Sequence, residues 1–385
     1  MTASAARPDR SDAPVVVAAL RSPIGTAGKS LARVDAAGLV APVLRRLVQQ
    51  VLDVPVRDVV LGNCMGPGGN VARVAALAAG LPHDVPGLTV DRQCGSGLAA
   101  ITTAAALVRD QPGLVLAGGT ESASTAPWRY WPPQGDRLPE RYERAPFAPS
   151  DIGDPDMGLA ADLLAEERGV SRERQDAYAA RSHARAHAAQ ESGAFDGEIV
   201  QVGGVIRDER PRPGMTVSRL ARLRPTFRPD GSVTAGNACG INDGAAAVAL
   251  VDAATHRHLG APGLRVLATA TAGVDPNRPG IGIVPAVRSV LSMARVGLDE
   301  IDVVELNEAF AGQVLACCDD LGLDPSRVCP EGGALALGHP WGASGAVLVV
   351  RLFTQLVSRG AGRYGLAAIA VGGGQGVAVV VERCD

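Results

Sequence analysis

A cysteine stands at position 94, between a short β-prone stretch at 88–90 and a Gly-Ser-Gly turn. An alanine-rich stretch at 98–108 then predicts a helix. The unpaired N–H groups and the dipole of a helix start favour an anion, and such surroundings can lower the pKa of a thiol from about 8.5 to within about 3.5–7.5. Cys94 is therefore either a candidate nucleophile or a small buried cysteine at a Gly/Ala-rich helix entry.

Three further segments contain the residue types that a thiolate nucleophile needs. Asn307 follows a predicted buried strand, His339 lies in a glycine-rich loop before a predicted helix, and Gly372 begins a glycine-rich run at 372–376. A thiolate needs a base, and an acyl intermediate needs donors that stabilise its oxyanion. Cys94, His339, Asn307 and the N–H groups of the 372–376 run could supply that set.

Alternating strands and helices are predicted to position these residues. The predicted strands are 15–20, 59–63, 88–90 and 114–117, and the predicted helices are 35–51, 70–79, 98–108 and about 172–190, the last with Ser171 as its N-cap. Such alternation implies an α/β fold with a parallel sheet between helical layers. The run at 372–376 is expected to follow the last strand of the core.

The chain also repeats itself loosely, which indicates two similar α/β halves. Three pairs of segments match in the same order: 58–63 with 302–307, 95–97 with 343–345, and 114–119 with 368–373.

The region 120–240, between the two halves, differs from them in composition. Prolines and tryptophans at 126–149 predict an irregular loop. Seven arginines between 207 and 228 indicate either a solvated face or a clamp for a phosphate-bearing ligand.

Composition narrows the classes of function. The 385 residues allow two or three domains, and the net charge of −3 gives no indication of nucleic-acid binding. We expect no membrane span, because no window of about 18 apolar residues is apparent. Residues 1–13 are polar and resemble no export signal. Seven cysteines without regular spacing predict no disulfide framework and a cytoplasmic location. No Cys or His pair has the spacing of metal ligands, so no metal site is expected.

Taken together, the motifs resemble those of the thiolase family over nearly the whole chain. The matching segments are 21–25, 89–98, 117–122, 156–158, 233–244, 307–310, 332–345 and 372–376. The resemblance implies the five-layered αβαβα fold, in a homodimer or homotetramer that uses acyl-CoA thioesters as substrates and no other cofactor. It also implies a disordered tail at 1–13, a first half at 14–118 plus about 242–262, an inserted loop domain at 119–241, and a second half at 263–385.

The same resemblance implies roles for individual residues. Cys94 would take the acyl group as a thioester, with His339 as its base and an oxyanion donor. Asn307 would hold a water in that oxyanion hole, and the N–H groups of Cys94 and Gly372 would form a second hole. Two substrate-binding expectations complete the set: Met157 would line the acyl cavity, and Arg212 and Phe227 would lie near the nucleotide end of coenzyme A.

Three positions depart from the family pattern. Ala370 stands where the family has a second catalytic cysteine, which exchanges a proton with the α-carbon of the acyl-CoA. Asp156 stands where a histidine is common. Cys239, which would lie close to the thioester, replaces a serine. That cysteine is either a neutral replacement or a relocated acid–base thiol.

We therefore expect an acyltransferase that loads an acyl group on Cys94 and transfers it, by C–C condensation with acid–base chemistry altered at Ala370. The alternatives are decarboxylative condensation, N- or O-acyl transfer, and a non-catalytic scaffold subunit. A methyl group cannot transfer a proton, and general acid–base help is worth roughly 10²–10⁴-fold. Acyl transfer onto Cys94 does not need that second group.

Overall fold

The computed structural model describes residues 10–51 and 54–385. Its strands are β1 (Val15–Arg21), β2 (Gly25–Thr26), β3 (Val56–Gly62), β4 (Gly87–Val90), β5 (Leu114–Ser122), β6 (Arg129–Trp131), β7 (Glu140–Tyr142), β8 (Asn242–Val251), β9 (Gly263–Gly273), β10 (Val303–Leu306), β11 (Tyr364–Val371) and β12 (Gln375–Cys384). Its helices are α1 (Ala36–Gln50), α2 (Val71–Ala78), α3 (Ser96–Asp110), α4 (Met157–Glu167), α5 (Arg172–Glu191), α6 (Val217–Leu220), α7 (Ala253–Leu259), α8 (Ile283–Ala294), α9 (Ala311–Leu321), α10 (Ala334–Leu337) and α11 (Trp341–Phe353). The strands and helices predicted above are confirmed, although β5 continues past 117 to Ser122.

The main sheet is mixed rather than parallel. Its strand order is β10-β11-β12-β9-β1-β8-β5-β3-β4, with β2 beside β8. Strand β3 runs parallel to β4 and β5, and β10 runs parallel to β11. The other neighbouring strands of this sheet are antiparallel. The prediction of a parallel sheet is wrong for the central strands. The 372–376 run also does not follow the last strand, because it joins β11 to β12 as a hairpin, and a tight hairpin requires antiparallel strands.

Side chains that alternate along the strands build the layers. In β5, Leu114 and Leu116 enter a core with α1 and α2, whereas Val115 and Ala117 enter a central core with α3 and α11. One face of strands β11 and β12 also packs into the central core. Their other face packs on α8 and α9. Each half of the sheet is thus covered on both faces. The five-layered αβαβα prediction is confirmed.

The two central helices approach each other closely at glycines. A Cβ added at Gly97 of α3 would lie 2.8 Å from a backbone atom of α11, and one at Gly345 of α11 would lie 2.5 Å from a backbone atom of α3. Only glycine permits such an approach. Because Cys94 and His339 each come two residues before one of these helices, the crossing brings both to the same side of the central layer.

The sheet register corrects one part of the internal repeat. Asn63 follows β3, and Asn307 follows β10. The last residue of β3 pairs with Gly119, whereas the last residue of β10 pairs with Ala368. Gly119 therefore corresponds to Ala368 and not to Gly373. The predicted match between the two Gly-Gly segments is wrong, because similar composition at different strand positions produced it.

The segment 126–149 is not wholly irregular. It contains the antiparallel hairpin β6–β7. Trp131 and Tyr142 stack across this hairpin with ring centroids 4.5 Å apart. Cross-strand aromatic pairs stabilise short strands. The prediction of a loop is therefore wrong over these two strands.

The expected N-terminal tail falls partly on residues 1–9, which lie outside the described residues. Arg10 donates hydrogen bonds to the Tyr364 hydroxyl at 3.1 Å and to the Ala294 carbonyl at 3.0 Å. The Ala13 N–H donates to the Arg10 carbonyl at 3.2 Å. The expectation of disorder is wrong for 10–13, since partners far along the chain hold this segment.

The expectation that no apolar window is long enough to span a membrane is also wrong. Trp341–Ser358 forms an 18-residue helical stretch with a mean hydropathy of 1.3, and 78% of it is buried inside the structure. This helix is apolar on all sides because it lies in the central layer between two sheet surfaces.

We predict that Arg21→Met destabilises the fold by about 3–5 kcal/mol, the range for breaking a buried ion pair. The Arg21 guanidinium is fully buried and contacts Glu198 at 2.7 Å and Asp208 at 2.7 Å. The substitution leaves the Asp208 carboxylate buried without its cation, whereas Glu198 keeps its ion pair with Arg351. Urea unfolding measures the loss.

Arg174→Met is the matched control, because its pair with Asp319 is exposed and worth at most about 1 kcal/mol. Equal losses in the two variants would contradict the argument.

Candidate active site

Cys94 sits on a tight turn that the surrounding hydrogen bonds hold in place. Gln93 has a φ of 44°, in the left-handed region that non-glycine residues rarely adopt. The Ser96 hydroxyl donates to the Gln93 carbonyl at 2.6 Å and accepts from the Arg92 N–H at 2.8 Å. The Cys64 thiol donates to the same Gln93 carbonyl at 3.0 Å. This turn presents the thiol of Cys94 beside the start of α3.

A loop at 237–242 connects the other parts of the site. The Cys239 N–H donates to the Ala309 carbonyl at 2.9 Å, just after β10. The Asn242 side chain accepts a 3.0 Å hydrogen bond from the His339 N–H. The same loop therefore positions the sulfur of Cys239 and fixes the backbone of His339.

A cavity of about 110 Å³ brings most of the predicted site residues together. Its lining residues come from both halves and from the segment between them: Cys94, Met157, Ala160, Ala161, Cys239, Pro279, Gly280, Ala309, Phe310, Gln313, His339, Trp341, Ala370, Val371 and Gly372. Only Cys94, Cys239 and His339 in this lining carry groups that can exchange a proton near neutral pH. The wall is otherwise mostly apolar, which suits an acyl chain.

Burial controls the protonation of Cys94. Burial raises the pKa of Cys94 to about 12, and neighbouring Cys239 adds to the rise. Hydrogen bonds from the N–H groups of Cys94 and Gly372 lower the pKa but do not offset burial. The expectation that the helix start lowers this pKa is therefore wrong. The same two N–H groups converge on the sulfur from two separate elements.

The imidazole of His339 is neutral near pH 7 and has a defined tautomer. Burial lowers the pKa of His339 to about 4. Its Nδ1 lies 2.6 Å from the Ser344 hydroxyl, and that hydroxyl donates its proton to the Pro340 carbonyl at 3.0 Å. The hydroxyl must then accept from Nδ1–H, so the network assigns the proton to Nδ1 and the lone pair to Nε2. Nε2 is buried and has no hydrogen-bond partner within 10–51 and 54–385.

Three predicted residues lie outside the cavity. Asn307 lines a neighbouring cleft together with Gly338 and Ser344. Phe227 is 39% exposed, and its ring meets Phe310 edge to face with centroids 6.3 Å apart. Arg212 is exposed, next in the chain to Pro211. The structure thus groups Cys94, His339, Gly372, Met157 and Cys239, but not these three.

Two residues with evident effects on the site were not singled out from the sequence. Ser344 sets the tautomer of His339, and its place five residues further on, in the first turn of α11, was an available signal. Arg210 influences Cys239 electrostatically. Arg210 is one of seven arginines in its stretch, so its sequence context could not distinguish it. Among the described residues no cluster of three potential metal ligands occurs.

The fold and this cavity define an α/β enzyme in which a thiol is the candidate nucleophile. Residues 14–254 match the family model for the thiolase N-terminal domain, and residues 261–383 match that for the thiolase C-terminal domain. The chain belongs to the thiolase family, and it is an acyltransferase.

Individual relatives agree with this assignment. An acetyl-CoA acetyltransferase of Pseudomonas aeruginosa is 46% identical, over 96% of this chain and 99% of its own length. A beta-ketoadipyl-CoA thiolase of the same organism is 45% identical, over 95% of this chain and 98% of its own. The crystal structure of the Bacillus anthracis acetyl-CoA acetyltransferase superposes with a TM-score of 0.89 at 39% identity, over 97% of this chain and 99% of that one.

Proposed function

We propose that this protein transfers an acyl group from acyl-CoA to Cys94 and then to the α-carbon of a second acyl-CoA, or catalyses the reverse cleavage. One observation carries the proposal. The Cys94 sulfur accepts hydrogen bonds from the N–H groups of Cys94 and Gly372. In the same cavity, the lone pair of His339 Nε2 has no partner among the described residues. That combination supplies a nucleophile, a base and oxyanion donors.

The loading step uses these groups in turn. His339 Nε2 takes the Cys94 proton as the sulfur attacks the thioester carbonyl. The N–H groups of Cys94 and Gly372 stabilise the resulting oxyanion. The bond from the acyl carbon to the coenzyme A sulfur then breaks, and the departing sulfur takes the proton from His339. No group at position 370 is needed for this step.

The second step is where this chain differs from the family pattern. Condensation requires a proton to leave the α-carbon of the second acyl-CoA, and the methyl group of Ala370 cannot accept it. The cavity around Ala370 nevertheless retains Cys94 and His339. That retention supports an active enzyme over a scaffold subunit. Decarboxylative condensation and N- or O-acyl transfer remain alternatives, because neither needs that proton transfer.

The remaining roles are proposals of the same kind. Asn307 would hold a water close to the oxyanion, and Met157 would contact the acyl chain. Arg212 and Phe227 would lie near the nucleotide end of coenzyme A. We further propose a cytoplasmic homodimer or homotetramer with no other cofactor, no metal, and neither nucleic acid nor membrane as a partner. Residues 119–241 would form the inserted loop domain between two halves at 14–118 plus about 242–262 and at 263–385.

Intact-protein mass after incubation with a panel of acyl-CoA thioesters tests the proposal. We expect one acyl adduct on the wild-type chain, mapped to Cys94 by peptide sequencing. Cys384→Ala is the matched control, since this buried cysteine lies near His256, away from the cavity. Failure of every acyl-CoA to form an adduct at Cys94 would refute the proposal. The preferred chain length would identify the acyl group.

We also predict that the rate of loading changes by less than about twofold between pH 7 and pH 5. The lowered pKa of His339 means that its imidazole gains a proton only as the pH falls through about 4. The base is therefore neutral throughout this window. A histidine with the ordinary pKa of about 6.5 would be about 97% protonated at pH 5, and loading would slow about 25-fold between pH 7 and pH 5. Rapid-quench mass measurement distinguishes the two outcomes.

A further inference from the structure

We propose that Cys239 is the proton-transfer group for the α-carbon in this cavity, and that Arg210 is a positioning residue that stabilises its thiolate. The inference rests on the proposed function and concerns its second step. Of the three proton-exchanging side chains in the cavity lining, Cys94 carries the acyl group in that step. When the C–C bond breaks in the cleavage direction, His339 already holds the proton that Cys94 released. Cys239 is the remaining candidate.

The position of Cys239 suits this role. Its sulfur lines the same cavity as Cys94 and Ala370, so a bound α-carbon lies between groups that all three residues contribute. The sulfur of Cys239 is also the largest electrostatic influence on Cys94 after burial. The Cys239 backbone is held by the 2.9 Å hydrogen bond from its N–H to the carbonyl of Ala309, three residues after the end of β10.

Arg210 is an unusual neighbour for a thiol. A side chain at Gly240, the residue after Cys239, would overlap the Arg210 guanidinium, so the guanidinium packs directly on this backbone. The Nε of Arg210 is buried and has no hydrogen-bond partner, and Arg210 makes no ion pair with the described residues. A partly buried cation without a counter-ion is costly.

Of the two titratable groups that act on the charge of Arg210, which are Arg212 and Cys239, only Cys239 can carry a compensating negative charge. The charged neighbour of Arg210 is Arg212, and both arginines help to lower the pKa of His183 to about 4, after burial. His183 is therefore neutral near pH 7. The field of Arg210 lowers the pKa of Cys239, against the larger effect of burial, which raises it to about 12. The thiol is thus protonated at rest, and its thiolate, once formed, faces a cation.

A protonated thiol is what the cleavage direction needs. Cys94, having given its proton to His339, attacks the keto carbon of a 3-oxoacyl-CoA. The bond between that carbon and the α-carbon breaks, and the electron pair on the α-carbon takes the proton of Cys239. Acyl-CoA leaves, with Cys94 acylated and Cys239 a thiolate. The proton on His339 then passes to Cys239, which restores both groups. Coenzyme A gives its thiol proton to His339 as its sulfur takes the acyl group, and the released sulfur of Cys94 recovers that proton from His339. Condensation is the reverse sequence.

Cys239→Ser tests the proposal, because serine keeps the size and polarity of the residue but is a far weaker acid. We expect cleavage of acetoacetyl-CoA, and exchange of the α-hydrogens of acetyl-CoA with D₂O, to fall by roughly 10²–10⁴-fold. Acyl loading of Cys94, read by intact mass, should stay within about threefold of wild type. Adding Ala370→Cys to this variant should recover at least tenfold in both lost activities, because residue 370 lines the same cavity.

Two outcomes would overturn the inference without touching the proposed function. Cleavage by C239S within threefold of wild type is one, and parallel loss of loading and cleavage is another. By contrast, a wild-type enzyme that loads Cys94 but neither cleaves nor exchanges would defeat the C–C transfer step of the proposed function together with the inference. Absence of loading in the wild type would instead defeat the proposed function itself.

Arg210 is tested separately with Arg210→Met and Arg210→Lys. The methionine variant should lower kcat for cleavage at least tenfold with little change in KM, whereas lysine, which keeps the charge, should restore most of kcat. Loading of Cys94 should be unaffected in both. A rise in KM at constant kcat would show that Arg210 binds the substrate instead, and would overturn its assignment to Cys239.

Discussion

Replacing Cys94 with alanine should abolish the acyl adduct and lower cleavage and condensation by about 10⁶-fold, the cost of removing the nucleophile from a covalent catalyst. The cavity offers no second sulfur in the same place, because Cys239 lacks the paired N–H groups of Cys94 and Gly372 that would stabilise an oxyanion there. The measurements are kcat/KM for acetoacetyl-CoA cleavage and the intact mass after incubation with acyl-CoA.

Two variants make this result interpretable. Cys94→Ser keeps the turn, and its hydroxyl is a much weaker nucleophile, so we expect a loss close to that of alanine. Cys384→Ala removes a buried cysteine elsewhere and should retain wild-type activity. A C94A protein that still acquires an acyl group at Cys239 would show that the assignment of the nucleophile is wrong.

Replacing His339 with alanine should slow acyl loading by roughly 10²–10⁴-fold, the usual worth of a general base. Burial keeps the imidazole neutral, with its pKa near 4, and the hydrogen bond to Ser344 directs the lone pair of Nε2 away from the helix. Without this base the thiol of Cys94 must lose its proton unaided, against a pKa of about 12. Rapid-quench measurement of adduct formation gives the rate directly.

Chemical rescue separates this role from a structural one. The alanine variant leaves a void, so added imidazole should restore part of the loading rate. His339→Gln fills the void without a base and should resist rescue. Urea unfolding of both variants provides the control for stability. If either variant loads Cys94 within tenfold of the wild-type rate, His339 is not the base.

The sequence by itself determined the class of fold and indicated which residues could form the candidate site. Strand and helix periodicity is local, so the elements around Cys94 and the strand before Asn307 were predictable from their neighbours. Cys94 and His339 each lie beside glycines just before a helix. This unusual setting indicated that both are candidates for a catalytic role. The motifs together implied the family, which the comparisons confirm.

The tertiary structure alone decided the pKa values of the site residues and which of those residues lie together. The pKa of Cys94 depends on burial by residues that are distant in the chain, and no local pattern reports it. The placement of Asn307 in a neighbouring cleft, and of Arg210 against Gly240, depends on how loops from different parts of the chain pack. The direction of the central strands was likewise set by long-range pairing, since strand direction follows from connections and not from the residues within a strand.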